Sequence, residues 1–186
     1  MQETSIYKDV ELISFAEFIE LDDTTRTYYQ TVGALLPPTS WNVGKIGQME
    51  WGKVKEIQFI YSSPNLTYND LTKVLSIASG EEEKNICRKT WVDVWKFHNF
   101  VYKEIERISE MEANYLSYDL TGAEASALEP LGKFGHFATL HGLAGGDPLK
   151  MGDIEKLKYD FVFTFLYYEK LKFEAEEKII KSKQNA

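Results

Sequence analysis

The chain has 186 residues, 44% of them hydrophobic and 14% aromatic, which is enough apolar side-chain volume to build a folded core. Its 21 basic and 29 acidic residues give a formal charge of −8, which disfavours nucleic acid as the main partner because binding a phosphate backbone requires clustered Lys and Arg. The single cysteine, Cys87, excludes an intramolecular disulfide. We expect one domain over residues 1–186.

Membrane insertion and secretion are both disfavoured by the hydropathy pattern. The sequence has no run of about eighteen apolar residues, and the apolar segment FVFTFLYY at 161–168 is closely flanked by charges. The first residues, MQETSIYKDVELISF, lack the basic start and the unbroken apolar run of a secretory signal. We therefore expect no membrane partner.

The first two predicted helices have clear boundary signals. Ser14 is followed three residues later by Glu17, the spacing of a capping box, so a helix should begin there. The acidic pair at 22–23 predicts a break before a second helix. That helix should end before Pro37, because a residue that precedes proline avoids the helical region.

The segment 40–63 has a different composition, because three glycines lower its helix propensity and many of its other residues favour strands. The strand-forming residues are Trp41, Val43, Ile46, Trp51, Val54, Ile57, Phe59 and Tyr61. Alternation is best over 54–61. The sequence thus predicts a small β-hairpin or sheet near residues 41–61, within a mainly α fold (α+β) that has a helical bundle as its core.

Two helices are predicted after this segment. The first is bracketed by Thr67, which has Asp70 three residues on, and by Gly80 at the other end. The second is a long amphipathic helix over 81–116, in which apolar residues recur at intervals of three and four. Those residues are Ile86, Trp91, Val94, Trp95, His98, Val101, Tyr102, Ile105 and Ile108.

Near the end of the sequence, Pro130 is placed as the first residue of a helical turn whose apolar face is Leu131, Phe134, Phe137, Ala138 and Leu140. The last helix spans roughly 159–181. Its first half is apolar on nearly all sides, so it must be covered on more than one face. Its charged second half predicts either a projecting C-terminal helix at 160–181 that contacts a partner subunit, or an amphipathic helix packed on its own domain.

The histidines do not predict a metal site. His136 and His141 are five residues apart and diverge by about 140° on a helix, and no CxxC or HExxH motif is present. His98 lies on the apolar stripe of the long helix, so we interpret it as a hydrogen-bonded histidine of the core or of an interface.

The segment GLAGGDPLK lacks the GxxxxGK[ST] spacing of a phosphate loop. Gly145 and Gly146 predict a helix stop, and Asp147 and Pro148 predict the N-cap and first residue of the next helix. We interpret these four residues as a helix break.

No residue pattern predicts catalysis. A GxSxG elbow is missing, and paired acid–base chemistry requires two groups that converge in a pocket. Glu112 and Glu124 are the only acids worth checking, because they flank the turn before the glycine-rich segment. We expect no enzyme activity, no catalytic residues, no metal and no cofactor.

Three segments together carry a resemblance to a known group of proteins. They are WVDVWKFHNFVYKEIERISEMEANYL at 91–116, LAGGDPLK at 143–150 and KYDFVFTFLYYEK at 158–170. Across roughly 67–178 the chain resembles small virion or assembly proteins of tailed bacteriophages, especially those of crAss-like phages. The resemblance implies a non-catalytic protein of the virion, made in the host cytoplasm.

Three hypotheses follow. The chain is a ring or connector subunit of the head–tail neck or tail, which contacts copies of itself and portal, tail or neck proteins. Alternatively, it is a soluble chaperone or adaptor for tail or portal assembly that leaves before maturation, or else a small enzyme of unknown reaction. The interface candidates are Trp41, Trp51, Phe59, Leu171, Phe173, Ile179 and Ile180.

Overall fold

A computed structural model describes residues 12–33, 44–118 and 122–184. These residues form ten α-helices and one short 3-10 helix, and they contain no β-strand. The α-helices are α1 Phe15–Ile19, α2 Asp23–Gly33, α3 Trp51–Tyr61, α4 Tyr68–Ser79, α5 Glu83–Arg88, α6 Trp91–Leu116, α7 Gly122–Gly132, α8 His136–Leu143, α9 Pro148–Glu155 and α10 Tyr159–Gln184. The 3-10 helix is η1 Ile46–Gln48.

The prediction of a mainly α fold is confirmed, but the β-hairpin predicted near 41–61 is wrong where the structure describes this segment. Residues 51–61 form α3. The buried residues Trp51, Val54, Ile57 and Ile60 recur every three positions, whereas Phe59, which strand alternation groups with Ile57, is 73% exposed. The buried residues therefore follow a helical period. The strand prediction was wrong because it relied on the content of β-branched and aromatic residues. Residues 40–43 lie outside the described ranges.

The chain divides into two compact units. Unit 1 comprises the described residues within 1–46 and 57–105, and unit 2 those within 47–56 and 106–186. Helices α3 and α6 contribute residues to both units. The expectation of a single domain stays a prediction.

Unit 1 is organised around a cluster of aromatic side chains. The rings of Phe18 and Trp91 stack with centroids 4.7 Å apart, and Tyr29 packs against both. Phe15 and Tyr68 extend the cluster with an edge-to-face contact at 6.2 Å. Contacts of this kind add to the hydrophobic gain of burying large rings, so this cluster is the centre of the unit 1 core.

A backbone bridge in unit 1 explains why the long helix predicted over 81–116 is two helices. The backbone N–H of Phe15 donates to the carbonyl of Lys89 at 2.9 Å, and that of Trp91 donates to Ile13, also at 2.9 Å. Thr90 caps α6 by accepting from the backbone N–H of Asp93. The pair Thr90 and Asp93 has the spacing of a capping box, a signal that the apolar periodicity concealed.

Two predicted helix starts in unit 1 are confirmed. Ser14 and Glu17 form a reciprocal capping box at α1, as Thr67 and Asp70 do at α4. These hydrogen bonds lower the pKa of both carboxyl groups. Gly80 closes α4 with φ 73°, a left-handed conformation that favours glycine.

In unit 2, the segment before α3 pairs with the segment before α10. The backbone N–H of Trp51 donates to Leu157 at 2.7 Å, and that of Tyr159 donates to Met49 at 2.9 Å. Beside this pairing the backbone of Gly47 passes against the carboxylate of Asp160, so closely that a Cβ would overlap it. The first turn of α10 is therefore fixed to the start of α3, and Trp51 and Tyr159 are each only 1% exposed.

The helices between α6 and α10 differ from the prediction at Pro130, which lies inside α7 rather than at the start of a helical turn. Gly135, with φ 51°, precedes α8, which begins at His136. At the end of α8, Gly145 and Gly146 both have positive φ. Asp147 then caps α9 by accepting from the N–H of Leu149, as the predicted helix break requires.

Candidate functional site

A polar cluster in unit 2 joins α3, α6 and α10. The Nζ of Lys55 donates to both carboxylate oxygens of Glu112, at 2.6 and 2.7 Å. The hydroxyl of Tyr159 donates to Oε1 of the same carboxylate at 2.7 Å. The side chains of Lys55 and Glu112 are 15% and 20% exposed, so the ion pair is largely removed from water.

The hydrogen bonds of Lys55 and Tyr159 to Glu112 connect α3, α6 and α10, and we call this cluster the structural tie. Burial, followed by the nearby Glu112, raises the pKa of Tyr159, so its hydroxyl stays a hydrogen-bond donor rather than a nucleophile. Lys55 also lies over the Trp51 ring, with Nζ 5.9 Å from the centroid. Glu112, one of the two acids singled out by the sequence, therefore anchors the start of α10. The side chain of Glu124 is outside the part of the chain that the structure describes.

Each of the three histidines packs against at least one aromatic ring. His136 meets the edge of Trp51 with ring centroids 5.6 Å apart, and His141 lies against Phe137 at 6.5 Å. Within the described ranges, no group of three or more His, Cys, Asp or Glu residues is arranged to hold a metal ion.

His98, in unit 1, lies in an aromatic cluster with Tyr61, Trp95 and Tyr102. Its Nδ1 is buried and has no hydrogen-bond partner among the described residues, as is also true of the Tyr61 hydroxyl. Burial lowers the pKa of His98, and a hydrogen bond with Asn99 opposes the shift. The neutral imidazole is therefore the form that the fold accommodates.

Helix α10 has two apolar faces. On its inner face, Tyr159 and Val162 are buried, and the ring of Tyr115 packs edge-on against Phe163 and Tyr167. The opposite face is formed by Phe161, Phe165, Tyr168, Lys172, Ala175 and Ile179, which we call the outer stripe. All six are exposed, and both Phe161 and Tyr168 are 61% exposed. The sequence predicted that the first half of this helix is covered on more than one face. Within the described residues, however, its outer stripe is exposed.

An apolar cavity opens beside this stripe. It has a volume of about 190 Å³ and is lined by Leu143, Ile154, Leu157, Phe161, Val162 and Phe165. An apolar cavity of about 150 Å³ is large enough to bind a benzene ring, so this one can hold one aromatic or large aliphatic side chain. The side chains that line this cavity make apolar contacts, and none of them can act as an acid or a base.

The segment from α7 to α8 adds further exposed apolar residues to unit 2. They are Leu128, Leu131, Phe134 and Phe137, and each is about half exposed. The sequence predicted Phe134 and Phe137 on the apolar face of one helix. The turn at Gly135 interrupts the helical register that this expectation assumed. Contiguous exposed apolar area of this kind marks interaction surfaces on folded proteins.

The predicted interface residues are placed differently from one another. Trp41 lies outside the described ranges, and Trp51 is buried beneath Lys55 and His136. Exposed in the structure are Phe59, Leu171, Phe173, Ile179 and Ile180. Their role as interface residues stays a prediction.

Sequence reasoning missed the most prominent members of the exposed surface, namely Phe161, Phe165 and Tyr168. Their spacing of four and then three residues is the signal that could have identified them. An all-aromatic segment conceals this signal, because residues of both faces have the same character.

No helix in the described ranges is long and apolar enough to cross a membrane. Comparisons of the chain with protein-family models, with curated proteins and with solved structures find no match.

Proposed function

We propose that this protein is a structural subunit of a tailed-bacteriophage virion, in a ring or connector of the head–tail neck or tail. The observation that carries the assembly role is the exposed apolar surface of unit 2, formed by the outer stripe, the cavity beside it and the α7–α8 segment. The virion context comes from the resemblance of residues 67–178 to small virion and assembly proteins of such phages.

The polar groups of unit 2 also support a non-catalytic role. Glu112, Lys55 and Tyr159 satisfy one another, so the cluster holds α10 in place and leaves no group poised to react with a substrate. The cavity beside the outer stripe is lined by apolar side chains alone. A surface of this composition suits contact with another protein.

A ring requires two different surfaces on each copy, because its contacts are head-to-tail. Unit 2 offers two candidates that differ in shape. The cavity between α8, α9 and α10 is concave, whereas Phe134, on the turn before α8, and Phe137, in the first turn of α8, are exposed. An exposed aromatic side chain of one copy, or of a portal, tail or neck protein, would fill the cavity on another.

Quantitative mass spectrometry of purified phage particles tests this function. We expect peptides of this chain in intact particles, at a constant ratio to the major tail and portal proteins across independent preparations. Peptides found in infected cells but missing from particles would overturn the virion proposal and favour a soluble assembly chaperone.

A further inference from the structure

Helix α7 carries an apolar face that is open to solvent. All of its side chains that the structure describes are exposed, and Leu128 and Leu131 are 46% and 50% exposed. Together with Ala127 these leucines lie within an arc of about 100° on one side of the helix, which we call the strap face, and Ser126 and Glu129 lie on the other side. A helix of this length is marginal in water unless its apolar side is packed against another element.

A strip of similar length is exposed on α8, the next helix along the chain. It is formed by Phe137, Ala138, His141 and Gly142, which lie within an arc of about 140° on the side of α8 opposite the buried Leu140. A Cβ at Gly142 would meet nothing within 4 Å, so the space over this end of the strip is open. The small residues at 138 and 142 leave a gap that a large side chain can fill.

The two helices are joined by a short turn that contains a glycine. Residues 133–135 connect α7 to α8, and connections of two to five residues join the antiparallel helices of αα-hairpins. Gly135 has φ 51°, and because glycine adopts either sign of φ at little cost, this turn can change direction. Helix α7 is about 16 Å long and α8 about 12 Å, so α7 is long enough to cover all of α8.

We propose that α7 is a strap, which folds back on α8 to form an αα-hairpin and of which the structure shows the open form. With residue 134 at the tip of the turn, residues equally far from it lie level with each other. Leu128 then lies over the gap between Ala138 and Gly142, and Ala127 lies opposite His141. A large side chain meets small ones at the first contact and a small one meets a large one at the second, as close packing requires.

The same arrangement keeps the polar residues of α7 in water. Ser126 and Glu129 lie on the side of α7 that points away from α8. Glu124 lies on the side of the strap face, but it is ten residues before the tip of the turn and therefore falls beyond Leu143, the last residue of α8. The hairpin thus covers apolar groups and leaves the charged ones exposed.

The covalent connection selects α7 over another molecule as the cover of this strip. A segment joined through a short linker has an effective concentration in the millimolar range, above that of a separate protein at micromolar concentration. The connection from α6 permits the movement, because the six peptide steps from Leu116 to Gly122 span up to about 20 Å. Tyr115 packs on Phe163 and Leu143 lies beside Phe161, so the ends of α6 and α8 lie along the same part of α10.

Closure of the strap would mask part of the surface that the proposed function uses. In the closed form Leu128, Leu131 and Phe137 are covered, so a free subunit presents less of the α7–α8 segment, and a neighbour that binds there must first open the strap. This role rests on the proposed function, whereas the closure itself does not. Particle mass spectrometry tests the function and the experiments below test the closure, so either can fail alone.

Disulfide formation within the full chain tests the closed form. On a Cys87→Ser background, Ala127→Cys/His141→Cys places two thiols opposite each other in the hairpin, with Cα atoms about 5–6 Å apart when the helix axes are about 8 Å apart. We expect mild oxidation to join them in most monomers, which mass spectrometry detects as protection from maleimide. Ser126→Cys/His141→Cys is the matched control. Its first thiol points away from α8, about 8 Å between Cα atoms, so both thiols should stay free.

Three results would overturn the proposal. The first is that the thiols introduced at 127 and 141 stay free, and the second is that the control pair oxidises equally well. The third is a disulfide that joins two chains, which would mean that a second copy covers the strip. Circular dichroism of both variants should show wild-type helix content, since the replaced residues are exposed.

Thiol protection measures the same contact without a cross-link. Ala138→Cys on the Cys87→Ser background places one thiol under Leu128 in the closed form. Adding Leu128→Asp would bury a carboxylate on closure, so it should raise the rate of thiol labelling at least about fivefold. Ser126→Asp puts the same charge on the far side of α7 and should change the rate by less than about twofold. Equal rates with and without Leu128→Asp would show that α7 does not cover Ala138.

Discussion

Two groups of aromatic residues, one in each unit, differ in how far the fold buries them. In unit 1 the rings of Phe18, Tyr29 and Trp91 pack against one another and are almost completely buried. In unit 2 the rings of Phe161 and Tyr168 extend from α10 with more than half of each side chain exposed. Aromatic content alone therefore does not distinguish a core from an interaction surface. The distinction depends on whether the fold brings a second element over the ring.

The largest expected effect is a direct test of this contrast. Trp91→Ala removes a fully buried ring from the unit 1 cluster, so the free energy of unfolding should fall by about 4 kcal/mol. Phe161→Ala removes a ring that faces solvent and should lower it by less than about 1 kcal/mol. Urea unfolding followed by fluorescence and circular dichroism gives both values. Equal losses would mean that Phe161 is covered within the chain.

The next prediction concerns the tie that holds α10. Glu112→Ala leaves Lys55 largely buried without its carboxylate and should cost about 3 kcal/mol in unfolding free energy. Tyr159→Phe removes one hydrogen bond from the same carboxylate and should cost about 1 kcal/mol. The double variant Lys55→Met/Glu112→Leu removes both charges and should be more stable than Glu112→Ala. If Glu112→Ala unfolds like the wild type, the tie is not needed to fix α10.

The close approach of Gly47 to Asp160 predicts a smaller effect in unit 2. Gly47→Ala places a Cβ within the space of the Asp160 carboxylate, so this exposed side chain must rotate out of its place, at a cost of about 1 kcal/mol. Gly44→Ala is the matched control, because a Cβ there meets nothing within 4 Å. Thermal unfolding compares the two. Equal unfolding midpoints of the two variants would show that the approach of Gly47 to Asp160 does not limit stability.

The smallest expected effect is the pH dependence of unit 1. Burial holds the pKa of His98 below its ordinary value of 6.5, so the unfolded chain binds the proton more tightly than the folded one. The stability gained from the neutral imidazole is complete above pH 6.5. It is lost as the pH falls from there through the lowered pKa, with a slope of at most about 1.4 kcal/mol per pH unit.

His98→Phe should remove this part of the pH dependence of unfolding. His136 and His141 remain in both proteins, so the difference between the two curves isolates His98. Urea unfolding at several pH values between 7.5 and 5 gives that difference. Parallel curves for the wild type and the variant would show that His98 takes up its proton equally in the folded and unfolded chains.

The sequence predicts helix ends well where a polar side chain caps a backbone. Ser14 with Glu17, Thr67 with Asp70, and Asp147 before Pro148 each give the observed start of a helix. These signals are local, since donor and acceptor lie within three residues of each other. The same capping rule also identifies Thr90 as a helix start. The apolar period of the residues around Thr90 nevertheless led to the prediction of one continuous helix.

Longer-range features were not predictable in the same way. Strand-forming residues in 51–61 suggested a sheet, but these residues form α3, in which Trp51 and Ile57 are buried at a helical spacing. Of the outer stripe, the sequence nominated only Ile179, and the interface role of that residue stays a prediction. The sequence missed Phe161 and Tyr168, because which face of an all-apolar helix is covered depends on contacts such as that of Tyr115 with Phe163.

The central claim is that the outer stripe of α10 is covered by another protein chain. Oxidative footprinting of the purified full chain, from nanomolar to high micromolar concentration, tests it most directly. Phe161, Phe165 and Tyr168 should lose reactivity as the concentration rises, while the exposed rings of Phe100 and Tyr102 in unit 1 keep theirs. Unchanged reactivity of the three outer-stripe rings across this range would contradict the account.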